Sequence, residues 1–261
     1  MHLPSAGALS APFAKWEIPF EKEPFMDRSL NGTQLKQLAC LFMLADHIGA
    51  ALLAPAWGVS PASAALPPGS GAAGMVYILL RGVGRLAFPL FCFLLTEGYA
   101  HTHSPGRYAA RLGLFALISE PVFDWAFFGQ IFWPGHQNVY GTLALGMLAL
   151  LCLDKAPARW MGWLGAVACG LCAQLLATDY GLLGVGLIVG LYLTRQDRQQ
   201  QGIWGAALTF YQLPAPLAFL LTARYDGQRG RCSPVQRWFY YWFYPLHLLA
   251  LGLLAHTLGL R

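Results

Sequence analysis

Apolar residues in this chain fall into long, almost uninterrupted blocks at about 33–53, 75–97, 112–128, 139–153, 160–177, 181–193, 203–221 and 239–258. Short polar stretches separate them. Continuous apolar runs approaching 20 residues have the length a helix needs to cross a hydrocarbon core. Strands of a membrane barrel would instead alternate apolar and polar positions. The pattern predicts an all-α, polytopic integral membrane helical bundle of about eight transmembrane helices, seven to nine at the limits. That bundle occupies residues 33–261. Residues 1–32 mix both charge signs with several prolines, lack the apolar core of a signal peptide, and read as an N-terminal cytoplasmic tail. One block is ambiguous: "QLPAP" interrupts 203–221. Either that segment is re-entrant, or it crosses once, or the short 181–193 run does not cross.

Composition supports the same solvent. Of 261 residues, 56% are hydrophobic and 11% charged, against about 25% charged in an ordinary soluble domain. The lipid bilayer is therefore the expected surrounding. The net charge of +5 comes from Lys and Arg placed mainly between the blocks. A positive-inside bias explains them, with no need for nucleic-acid binding, and puts the N-terminus and the loops at 101–111, 154–159 and 195–198 in the cytoplasm. The six Cys lie mostly in apolar runs. The C-x-x-C at Cys169 and Cys172 reads as small packing residues. No recurrent metal spacing appears.

The first block, "LKQLACLFMLADHIGA", carries Asp46 and His47 near mid-membrane. A charged Asp there costs roughly 2.5–3.5 kcal/mol on insertion scales, which points to a use for it. Lys36 and His47 are eleven residues apart, about 1,100° of helix and about 16 Å of rise. They share a stripe with Cys40 and Met43. A cation at the cytoplasmic mouth and an imidazole below it suit a long ligand with an anionic end, such as coenzyme A. The imidazole can take a proton from an attacking hydroxyl or amine. Asp46 points about 100° away from it, so it pairs with an intramembrane Arg or reaches the imidazole through another helix. Gly49 and Ala50 would let a second helix come close.

Other polar residues at depth need partners too. Arg81 and Arg85 share a helical face, Pro89 kinks their helix, and an Arg cannot shed its charge. Asp46, Glu120, Asp124 or a ligand phosphate would serve. Arg107 and Arg111 suit coenzyme A phosphates or a positive-inside anchor. Glu120 and Asp124 suit acceptor recognition or act as counter-ions to the buried Arg residues. Asn138 and Thr142 read as helix-to-helix hydrogen bonders, and Asp179-Tyr180-Gly181 as a turn. His247 would either neighbour His47 or bond a backbone carbonyl. Trp238 to Tyr244 form an interfacial aromatic belt.

"LKQLACLFMLADHIGA", "GRLAFPLFCFLLTEGYAHT", "RYAARLGLFALISEPVFD", "NVYGTLALGMLAL", "TDYGLLGVGL" and "YYWFYPLHLLAL" together resemble the TraX family, membrane proteins linked to N-acetylation of conjugative pilin. The lysine-to-histidine spacing is also similar to that of the acyltransferase-three membrane enzymes. The resemblance implies a membrane-bound acyltransferase using acetyl-CoA as donor. His47 would be general base or transient acyl carrier, with Asp46 and Arg85 setting its charge environment. Lys36, Arg81, Arg107 and Arg111 would hold the donor. Glu120, Asp124 and His247 would face the acceptor, an amine or hydroxyl of a pilin N-terminus, another protein or an envelope sugar. Two other classes fit the same residues: a proton-coupled transporter with Asp46, His47, Glu120 and Asp124 as relay, and a non-catalytic membrane assembly factor.

Overall fold

The computed structural model describes residues 29–60 and 71–260. Most of the expected N-terminal tail lies outside the described residues. The described chain is all-helical. Helix α1 (Gly32–Ile48) widens into a π-turn over Gly49–Leu53 and ends in the short α2 (Ala54–Ala56). Then follow α3 (Gly71–Gly84), α4 (Ala87–His101), α5 (Pro105–Phe128), α6 (Val139–Lys155), α7 (Arg159–Leu175) and α8 (Gly181–Leu193). Helices α9 (Arg198–Thr209), α10 (Ala218–Thr222) and α11 (Pro234–Thr257) complete the bundle. Local chemistry sets several of these ends. Asn31 and Gln34 close a capping box on α1, and Ser233 and Gln236 close another on α11. Between α3 and α4 the helix breaks at Arg85 and Leu86, where Pro89 has no N–H to offer the Arg85 carbonyl.

Helix α6 lies at the centre, between α5, α7 and α8. Small residues let these helices close up: a side chain at Gly146 would collide with Ile188, and one at Gly184 with Thr142 and Phe88. Phe93, Met147, Leu150, Ile188 and Leu191 fill the core. The outside is equally apolar. Helix α7 exposes Trp160, Trp163, Leu164, Val167, Leu171 and Leu175, a contiguous patch larger than a water-facing protein normally shows.

Two helical stretches, Gly32–Ala56 and Gly71–His101, are long and apolar enough to cross a membrane. The others are shorter or less apolar, for identifiable reasons. Helix α5 carries Arg107, Arg111, Glu120 and Asp124, and α11 is rich in Trp and Tyr; α6 and α7 have 17 residues each and α8 has 13.

The ambiguous 203–221 block turns back on itself. Arg198, at the start of α9, places Nη1 3.1 Å from Glu97 Oε1 at the end of α4. Its guanidinium also lies 5.2 Å from the ring centroid of Tyr225, just past α10. The segment therefore begins and ends beside the same point of α4, turning back through the Pro-rich "QLPAP". The Arg-rich loop after it folds over the start of α1: Leu30 N–H donates to Arg224 O, Asp226 N–H to Leu30 O and Gly32 N–H to Gln228 O. Arg224, Arg229, Arg231 and Arg237 thus join Arg107 and Arg111 at one end of the bundle.

Candidate functional site

That cationic end contains a cavity of about 510 Å³, within the roughly 300–1,000 Å³ of small-molecule sites. Lys36, Arg111, Arg229 and Arg237 line it, and Phe91, Leu95, Leu143 and Tyr140 give it apolar walls. Lys36 Nζ lies 5.2 Å from the Tyr240 ring centroid, and the Arg111 guanidinium 5.8 Å from those of Tyr108 and Tyr241. The one acid in this lining, Glu97, is already paired with Arg198. The interior is left with a surplus of positive charge that suits a polyanion. Lys36 and Arg111 were legible in the sequence as members of this site. Arg229 and Arg237 were not, because the end of the bundle on which their loop falls depends on whether the preceding segment turns back. Arg107 lies outside the cavity, in a shallow depression with Thr102 and Ser104, and donates to Ser104 Oγ at 2.7 Å.

Deeper in the bundle, His47 of α1 meets His247 of α11. His47 Nδ1 and His247 Nε2 are 2.6 Å apart, and His247 Nδ1 is 2.5 Å from Phe243 O. The two expectations for His247, neighbour to His47 and partner of a carbonyl, hold together. Phe127 and Tyr244 flank His47 edge-on at 5.5 and 5.8 Å. The expected open stripe from Lys36 to His47 is instead a packed seam: Cys40 and Met43 are buried in it and neither lines the cavity. Tyr140 on the cavity wall contacts Tyr244 at 5.3 Å, so one aromatic layer separates cavity and imidazole. Pro245 helps place that layer. It leaves the Tyr241 carbonyl without its helical donor, and the Tyr140 hydroxyl donates to that oxygen at 3.0 Å.

Asp46 faces away from His47, as its helical phase requires, and pairs with Arg81 at 2.6 Å. Arg81 is 5% exposed and its stem lies against Gly49. Arg81, expected among the donor-binding cations, is the counter-ion of Asp46 and does not line the cavity. Arg85 falls in the break after α3, and its guanidinium lies beside Tyr180. Tyr180 adopts φ +68° and stacks on Phe88 at 3.6 Å between centroids. A bulky residue in the left-handed region is an outlier that its surroundings must hold in place. Gly84, which the sequence did not single out, seats Asp46: a Cβ there would lie 2.8 Å from Asp46 Cα.

At the opposite end from the cavity, Glu120 and Asp124 organise a loop and are not counter-ions to the buried arginines. Asp124 accepts from Trp133 N–H at 2.6 Å, and Glu120 from the backbone and side-chain nitrogens of Asn138. Buried Asn138 also donates to Ala116 O and caps α6. Thr142 donates to the Asp179 carbonyl and bonds Thr178. Asn138 and Thr142 tie helices together as their spacing suggested. His136 in this loop sits 3.7 Å from Asp179. Contact with the Asp179 carboxylate, then the charges of Glu120 and Asp124, hold its imidazole above its ordinary value in spite of burial. A raised folded value means that the contribution is complete below the unfolded value of about 6.5 and disappears as pH rises through the folded one. Thermal melts of wild type should lose stability over that window, and His136→Gln should flatten the profile. The effect should stay under about 1 kcal/mol, because the two side chains are 40% and 37% exposed. Identical pH profiles would remove the pair's role.

The cavity and the histidine pair both lie in a region with known relatives. The family model described as TraX protein matches residues 31–255. The chain belongs to the TraX family. A protein of Dichelobacter nodosus named probable fimbrial assembly protein FimC, serogroup H1, is 29% identical over 203 residues, covering 67% of this chain and 82% of its own. No solved structure matches. The TraX match spans Lys36 through His247 and so contains both parts of the site.

Proposed function

We propose that this TraX protein is a membrane acyltransferase that moves acetyl from acetyl-CoA to an amine or hydroxyl acceptor. The observation that carries this reading is the cationic cavity at one end of the bundle, with an imidazole pair one aromatic layer beyond it. Lys36, Arg111, Arg229 and Arg237 would hold the phosphates of coenzyme A, and the apolar wall would take its thioester arm. Tyr140 and Tyr244 would part to let the acetyl group reach His47. The acceptor N–H or O–H then gives its proton to His47 as its lone pair attacks the thioester carbonyl. A carbon–nitrogen or carbon–oxygen bond forms, the carbon–sulfur bond breaks, and His47 returns the proton to the departing thiolate. The name of the Dichelobacter relative, a probable fimbrial assembly protein, favours a fimbrial subunit as acceptor, and the TraX resemblance favours the amine at its N-terminus.

In this reading residues 33–261 form one membrane domain. Helix α1, the α3–α4 pair, α5, α6, α7, α8 and α11 cross, which makes seven, and α9–α10 dips in and returns. The start of α1 and the cavity face the cytoplasm, where acetyl-CoA is found. A proton relay through Asp46, Glu120 and Asp124 is less well supported, since each is held by a static partner.

Calorimetric titration of acetyl-CoA into the protein in lipid nanodiscs tests the reading. Saturable binding that weakens with added salt is expected. Arg229→Ala and Arg237→Ala should each weaken it about tenfold to a hundredfold, the loss of one charge-assisted phosphate contact. Absence of binding by wild type would end the acyltransferase reading.

A further inference from the structure

The histidine pair carries more than proximity. A centroid separation of 4.9 Å, planes 7° apart and a nitrogen–nitrogen distance of 2.6 Å describe two imidazoles lying nose to nose in one plane. Face-to-face rings at that separation would not bring two nitrogens so close. Hydrogen bookkeeping follows from this geometry. A carbonyl oxygen only accepts, so His247 Nδ1, bonded to Phe243 O, must carry a hydrogen. In the neutral ring, His247 Nε2 is then a bare lone pair. His47 Nδ1 faces that lone pair and must donate to it. Neutral His47 has only this one hydrogen, so its Nε2 is left as a free base.

We infer that His247 is a positioning residue that locks His47 as the Nδ1–H tautomer and so makes His47 Nε2 the atom that takes the acceptor's proton. This rests on the acyltransferase reading of the site. The lock works against the ordinary preference of a free histidine side chain for hydrogen on Nε2. It is built on helical spacing: His247 bonds back to the carbonyl four residues earlier, and the ring of the same Phe243 lies against it at 4.8 Å. When His47 becomes charged, its bond to His247 Nε2 becomes charge-assisted and stronger, which stabilises the imidazolium as it forms. The chain of hydrogen bonds stops at a carbonyl. It holds a proton and does not conduct one, unlike a transport relay.

The test uses full-length protein in nanodiscs with ¹⁵N-labelled histidine, comparing wild type, His247→Phe and His247→Gln. Nitrogen chemical shifts report the His47 tautomer with no acceptor present, and acetyl transfer reports kcat and KM. Wild type should show hydrogen on Nδ1 of His47. His247→Phe fills the space but accepts nothing. It should lose that tautomer and drop kcat about 10²–10³-fold, with KM for acetyl-CoA within about twofold. His247→Gln offers an amide oxygen to His47 Nδ1–H and should restore both the tautomer and kcat, the latter to within about tenfold of wild type. Wild-type His47 with hydrogen on Nε2, or a His247→Phe protein with unchanged kcat, overturns the inference. If His247→Phe does not fold, the wild-type tautomer and the His247→Gln rates still decide it. The predicted tautomer in a wild type that transfers no acetyl would overturn the acyltransferase reading while leaving the lock intact, so the two failures are separable.

Discussion

His47→Ala will bind acetyl-CoA about as well as wild type and transfer acetyl far more slowly. The imidazole lies about 16 Å of helix from Lys36, and the cavity cations Arg111, Arg229 and Arg237 come from α5, the loop after α10 and α11. His47 does not line the cavity, so its truncation leaves the cavity standing. Transfer should fall by about 10²–10⁴-fold, the usual contribution of a positioned general base. The loss should appear in kcat, with KM nearly unchanged. Radiolabelled acetyl-CoA measures both quantities in one preparation. A mutant that transfers at the wild-type rate would remove His47 from the chemistry. A mutant that no longer binds donor would show that the aromatic layer of Tyr140 and Tyr244 needs His47 beneath it to keep the cavity wall in place.

Gly84→Ala will destabilise the protein more than any single change in the cavity. A Cβ at this position would lie 2.5 Å from Asp46 Oδ1 and 2.8 Å from Asp46 Cα, and closer still to its Cβ. Contact with a backbone atom cannot be relieved by a rotamer change, so α3 must move away from α1. Overpacking of this kind costs about 1–3 kcal/mol. The movement also separates Asp46 from Arg81, and breaking a buried pair costs about 3–5 kcal/mol because a charge is left without its partner. Thermal unfolding in mild detergent should therefore show a large loss of Tm for Gly84→Ala and a similar one for Asp46→Ala. The double variant Asp46→Leu with Arg81→Leu should recover much of it, since no orphan charge remains. Gly84→Ala with a wild-type Tm would mean that α1 and α3 do not approach so closely.

The sequence alone determined the short-range features. Apolar blocks without alternation specify helices, and Pro89 specifies a break. Each depends only on backbone hydrogen bonds within one turn. Helical phase also separated Asp46 from His47, and placed Lys36 and His47 on one stripe of α1. What phase cannot give is the partner across the gap. Arg81 and Arg85 share a face, and only the rotation of α3 against α1 decides that Arg81 takes Asp46 while Arg85 turns to Tyr180. Likewise Cys40 and Met43 lie on the predicted stripe, but whether a stripe is an open groove or a packed seam depends on which helix covers it. His47 and His247 lie 200 residues apart, and nothing local to either announces that their nitrogens meet in one plane. Arg229 and Arg237 reach the cavity because α9–α10 turns back at its prolines, a choice that hydropathy left open. The tertiary structure decided these points because each one balances contacts from distant segments, and no window of sequence contains both sides of that balance.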